Sequence, residues 1–223
     1  MTGLTPEIQC ISRPADSTLF AADSSWAMIS VLGQKDRGAL AEVTCCHWLS
    51  MPFLPSSFDL VIGDGCHNLL PGPGQYHRLH RELRALLRPG GRMLFRFFIR
   101  KNSRETIDDV LNDLNAGRIG NFHVFKWRLL QALHDDNEGV LLGQVWDVWD
   151  KLGLTPSQLS KRHGWPEEEV LTIDSYHGKD IRYWLPNKSE LEELLAADSR
   201  VLSITQGHYE LAELCPVVLF EPR

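Results

Sequence analysis

The chain has 223 residues, 43% hydrophobic and 23% charged, which is enough apolar side chain for a continuous core without disulfide or metal staples. A formal net charge of -6 argues against a general binder of nucleic-acid backbones and leaves a small molecule or a specific protein as the substrate. No apolar run approaches the ~18 residues of a membrane helix, and MTGLTPEIQC has neither the basic start nor the apolar stretch of a signal peptide, so a cytoplasmic protein with no membrane partner is expected.

In chain order, STLFAAD (17–23) is a short apolar run closed by an acid and predicts a strand. SSWAMISVL follows with Trp26, Ile29 and Leu32 at helical spacing. Gly33 and Gly38 mark a break, AEVTCC (41–46) predicts a second strand, and MPFLPSS a turn. FDLVIGDG (58–65) is a near-continuous apolar run, as strands inside parallel sheets are. In QYHRLHRELRALLRPGG the spacing predicts a helix with Leu79, Leu83, Leu86 and Leu87 on one face, stopped by Pro89-Gly90-Gly91. RMLFRFFI (92–99) is the fourth strand. Such alternation implies a parallel sheet with right-handed crossovers and helices on both faces.

Residues 102–165 change character. They show helical periodicity (ETIDDVLNDL, WRLLQALHDD, LGQVWDVWDKL) and hold four of the seven tryptophans. Thr155-Pro156-Ser157 reads as a helix start and Gly164-Trp165-Pro166 as a break. Phe122, Phe125, Trp127, Trp146, Trp149, Tyr176, Tyr183 and Trp184 either line an apolar pocket or form the core of a helical cap. ELEELLAA (190–197) is a helix, and strand-like segments lie around 200–205 and 216–221. One domain over 1–223 is expected, with 102–188 a largely helical insertion before a C-terminal hairpin. LTPSQLSKRHGW has a faint helix-turn-helix spacing but no basic recognition face, so no nucleic-acid partner is expected. Cys10, Cys45, Cys46, Cys66 and Cys215 form no CxxC pair and are expected as reduced thiols.

Three blocks, LFAADSSWAMI, LSMPFLPSSFDLVIGDG and HRELRALLRPGGRMLF, occur in the order and spacing found in one family. Over residues 19–99 the chain resembles the class I S-adenosylmethionine-dependent methyltransferases, specifically the small-molecule "type 11" group. The resemblance implies an α/β, Rossmann-like three-layer αβα sheet, mostly parallel with a C-terminal antiparallel hairpin. It also implies S-adenosylmethionine as cofactor and a small molecule as methyl acceptor.

Site residues follow from that resemblance. Asp23, followed by Ser24, stands where the family's acid takes both ribose hydroxyls; a helix N-cap is the alternative. Gly63-Asp64-Gly65 ends the next-but-one strand, where small residues let backbone approach the methionyl part of the ligand. Asp64 there orients an amino group or is a plain turn residue. His47-Trp48 replaces the family's adenine-binding acid and the residue after it. Trp48 would stack on the ring and His47 accept through a neutral nitrogen; the alternative is a surface histidine beside a partly buried tryptophan.

Gly3-Leu4-Thr5-Pro6-Glu7 reads as a reduced glycine loop with Gly3 as its glycine and Thr5 as N-cap. Nothing ahead of it supplies the family's first strand, so a sheet lacking that central strand is expected, through a late start codon, a fragment or real degeneration. His67, beside Asn68, is the candidate general base, with an uninvolved histidine as the alternative. His77 and His80, three apart on one helix, read as a structural pair, and no metal site is expected. Methyl transfer to a small molecule is therefore the expected function; a catalytically silent relative that binds a partner is the alternative. A dinucleotide-dependent oxidoreductase would need a pyrophosphate-binding glycine fingerprint, which this chain lacks.

Overall fold

The computed structural model describes Ile8, residues 12–32 and residues 42–223, so Gly3 and Thr5 lie outside the described residues. Two βα units open it. β1 (Phe20–Asp23) leads through α1 (Trp26–Leu32) to β2 (Glu42–Cys45), and the strands pair in parallel from Phe20↔Glu42 to Asp23↔Cys45. β3 (Phe58–Asp64) leads through a short 3-10 segment (Cys66–Leu69) and α2 (Pro73–Leu86) to β4 (Leu87–Arg96), again parallel. α3 (Ile107–Asn115), α4 (Phe122–Leu133), β5 (Val140–Leu141), α5 (Leu142–Lys151), α6 (Pro156–His163) and α7 (Glu167–Leu171) follow, then β6 (Arg182–Tyr183). The chain closes with α8 (Lys188–Asp198), β7 (Ser199–Thr205) and β8 (Val217–Pro222).

Among the described residues the strands form separate ladders: β1–β2, then β3–β4–β8–β7, then the small β5–β6 pair. Both βαβ ladders are parallel, while β8 pairs antiparallel with β4 and with β7, giving the C-terminal hairpin. No ladder joins β1 to β3 among the described residues. The two sheets meet through side chains. Phe20 of β1, Phe53 and Phe58 of β3 stand edge to face with centroids 5.1–6.3 Å apart, and the Trp48 indole N–H donates to the Ala22 carbonyl at 3.2 Å.

The predicted face of α2 packs as read: Leu79, Leu83 and Leu86 are buried, the first two in a core with Met93, Phe95 and Phe97, α8 leucines and Phe220. A second cluster belongs to the helical region, where Phe122, Phe125, Trp149 and Trp165 pack with Val110, Leu129 and Leu159. The aromatic residues of that stretch are thus largely core. Its helices start as their sequences dictate. Thr106 and Thr155 form capping boxes with Asp109 and Gln158, and Gly164 closes α6 in the left-handed conformation.

Two local readings are corrected. Leu87 does not extend the α2 face; it opens β4 and pairs with Phe58, and the ladder resumes at Leu60↔Arg92, so residues 88–91 bulge out of the strand. Trp26 does not share a buried face with Ile29, for it is 69% exposed while Ile29 is buried. No helix among the described residues is long and apolar enough to cross a membrane.

Candidate functional site

Ligands of open parallel sheets sit at the carboxyl ends of the strands. Four such ends are described here: Asp23, Cys45, Asp64 and Arg96. Asp23 is half-buried. Its Oδ1 accepts the Ser25 N–H at 2.7 Å, an Asx turn that starts α1, and its carbonyl accepts the Cys46 N–H at 2.9 Å. Oδ2 has no partner among the described residues. The cap and a ligand role are therefore compatible: one oxygen starts the helix and the other is uncommitted among the described residues. Ser24 is exposed beside it, and its carbonyl accepts the Cys45 thiol at 3.8 Å.

At the end of β2, His47 is exposed and its Nδ1 accepts the Leu49 N–H at 3.1 Å. A neutral ring so held carries its proton on Nε2 and presents a donor, not the acceptor that an adenine amino group needs. Trp48 is 7% exposed and belongs to the main core, where its N–H fastens β1. This placement does not fit a free stacking platform, because the ring faces are already covered by protein.

The Gly63-Asp64-Gly65 turn answers mostly to β4 and the residues after it. A Cβ on Gly63 would stand 2.0 Å from Phe95 Cε1, and Gly65 has φ +61° with Phe98 Cε2 2.4 Å from a would-be Cβ. Asp64 forms a bidentate pair with Arg96, Nε–Oδ1 2.6 Å and Nη2–Oδ2 2.7 Å, and donating to the Asp64 carboxylate pushes the Arg96 pKa up. The Arg96 guanidinium also lies over the Phe98 ring at 5.2 Å.

His67 is 1% exposed, enclosed by the rings of Tyr76, Phe95 and Phe97 at 4.5–5.3 Å. Its Nε2 meets His80 Nε2 at 2.9 Å, its Nδ1 lies 3.7 Å from Cys66 Sγ, and His80 Nδ1 lies 3.0 Å from Asp198 Oδ1. With His80 donating to the carboxylate, each proton points the same way: thiol to His67, His67 to His80, His80 to Asp198. His77 Nδ1 meets the other Asp198 oxygen at 3.0 Å. Burial pushes the Cys66 thiol up to about 12 and holds the His67 pKa well below its ordinary value, so both are neutral. A sealed ring of this kind reaches no substrate, and the reading of His67 as general base does not fit its position. His77 and His80 are a pair joined through Asp198, a partner 118 residues from His80 that helical spacing cannot reveal.

Sequence reasoning also missed Arg96, whose only signal was an arginine amid the apolar residues of RMLFRFFI, and the polar group Arg100, Gln131 and His134 past β4. Among the described residues no set of three or more His, Cys, Asp or Glu could hold a metal ion.

Comparison with known proteins bears on the fold. The PH0226 protein of Pyrococcus horikoshii is 12% identical, with 93% of this chain and 73% of that one covered at a TM-score of 0.52. A SAM-dependent methyltransferase of Methanosarcina mazei is 14% identical, with 91% and 81% covered at 0.50. At such identity the likeness is one of fold. No curated protein matches the chain in sequence. The family model described as a methyltransferase domain matches residues 4–95, the stretch that carries both βαβ units. By that match and the shared Rossmann-like architecture, residues 4–95 are similar to the methyltransferase domain family.

Proposed function

We propose that the protein transfers a methyl group from S-adenosylmethionine to a small molecule, binding the cofactor across the carboxyl ends of β1, β2 and β3. The observation that carries this reading is the Asp23 carboxylate at the end of β1, with Oδ2 uncommitted among the described residues. A carboxylate so placed accepts from both ribose hydroxyls. His47 Nε2–H suits a ring nitrogen of adenine better than its amino group. Gly3, Thr5 and Ser24 complete the proposed cradle, with Gly63 and Gly65 bringing the β3 backbone close.

When bound, the cofactor supplies an activated methyl on a sulfonium, so the protein's part is positioning and exclusion of water. His67 takes no proton from an acceptor, because its ring is sealed and both its nitrogens are engaged. Residues 102–188 are proposed as the cap of a single domain over the acceptor. Cys45, Cys46, Cys66 and Cys215 are free thiols, which supports a cytoplasmic location.

Calorimetric titration with S-adenosylmethionine and with its demethylated product tests this. Asn at position 23 keeps the Asx turn but loses the charge, so Asp23→Asn should weaken binding by about tenfold or more with unchanged thermal stability. Three expected ligand groups are already engaged by the protein: Trp48 in the core, Asp64 on Arg96, His67 on His80. They favour a second reading, a silent relative that binds a partner. No heat from either ligand at millimolar concentration would leave only that one.

A further inference from the structure

Just past β4, one surface depression is lined by Arg100, Lys101, Ser103, Gln131 and His134, among others. Three buried nitrogens of these residues have no hydrogen-bond partner among the described residues: Arg100 Nε, Gln131 Nε2 and His134 Nδ1. Buried polar atoms are nearly always paired, so three orphans on residues that line one depression point to a ligand. Each is oriented by what its other atoms do. Gln131 Oε1 accepts the Lys101 N–H at 3.1 Å, which sets the amide and leaves its NH2 unused. His134, 4% exposed, accepts the Leu185 N–H on Nε2 at 3.0 Å, so the neutral ring carries its proton on Nδ1. Arg100 pairs through Nη2 with Glu190 at 3.0 Å and Asp136 at 3.3 Å, leaving Nε–H over.

All three orphans are donors. Lys101 and Arg104 add positive charge to the same wall, whose two carboxylates are both engaged, Asp136 by Arg100 and Arg104 and Glu105 by Arg128. A wall of unused donors excludes a metal cation and matches an oxyanion. We propose that Arg100, Gln131 and His134 form a binding site for a small oxyanion, the phosphate or carboxylate end group of a ligand. The site stands independently of the methyl-transfer reading, since none of its residues belongs to the proposed cofactor cradle.

The test is separate titration of the 15N-labelled full chain with inorganic phosphate and with acetate, following the His134 ring and Gln131 side-chain resonances. A saturable shift of both groups is expected; saturation by phosphate alone identifies a phosphate group, and saturation by acetate a carboxylate. Gln131→Glu keeps the acceptor for Lys101 but sets a negative charge in the site, and should weaken binding about tenfold or more. Should that variant not fold, exposed Arg104→Gln decides, with a weakening of about threefold expected. Shifts that fail to saturate with either anion, or equal affinity in the folded variant, would overturn the site.

Discussion

Gly63 shows how one residue can carry two explanations. The sequence offers a glycine at a strand end, and a strand end in this fold faces a ligand. The structure puts Phe95, fully buried, across the ladder at Gly63↔Phe95, with the Cys66 sulfur 2.9 Å from any added Cβ. Neither neighbour is a flexible surface chain that can swing away. Gly63→Ala is therefore expected to destabilise the fold by about 2 kcal/mol through overpacking, read as a lower urea midpoint, whether or not a cofactor binds nearby. A midpoint equal to wild type would mean that the glycine serves only ligand approach. The placement of Asp23 was the most legible, because a strand end and the following turn are both local. Asp64 and Trp48 were less so: their partners, Arg96 and the Ala22 carbonyl, lie 32 and 26 residues away.

At the scale of elements the sequence was most informative where chain-local physics decides. The apolar spacing of α2, the Thr155 start and Gly164 stop of α6, and the two C-terminal strands all follow from periodicity and caps. The α2–β4 junction was read less well, since LRPGG has the composition of a turn and only the ladder from Leu87 to Phe58 turns it into a bulged strand. α3 is the clean case for measurement. Thr106 Oγ1 accepts the Asp109 N–H at 3.1 Å while the Asp109 carboxylate accepts the Thr106 N–H at 3.0 Å. Thr106→Ala removes one half of that box on an exposed helix start and should cost about 1 kcal/mol, whereas Thr106→Ser should cost a few tenths. Equal losses in the two variants would show that the methyl group, not the hydroxyl, holds the helix.

Across the whole molecule, buried histidines join segments far apart in sequence, which is why composition and spacing did not show them. His67 and His80 link the exit of β3 and α2 to Asp198 at the end of α8, and His134 holds the backbone at Leu185, 51 residues on. Burial holds His67 well below 6.5 and, first through desolvation and then through Arg100, brings His134 down to about 4. In the unfolded chain both titrate near 6.5, so between pH 6.5 and about 4 the unfolded state binds protons that the native state refuses. Stability is then complete above that window and falls as the pH drops through it, with His134 contributing on the order of 2 kcal/mol. Asp198 acts at lower pH. Its burial raises the carboxyl pKa, but hydrogen bonds from His80 and His77 outweigh that and bring it to about 2, so its contribution is lost only as the pH falls from 3.8 towards 2. Urea midpoints measured at about pH 7.5 and about pH 4.5 should therefore differ, and His134→Gln, which keeps an acceptor for Leu185 without titrating, should narrow the difference. An identical pH slope in that variant would place the proton uptake elsewhere and remove His134 from the account.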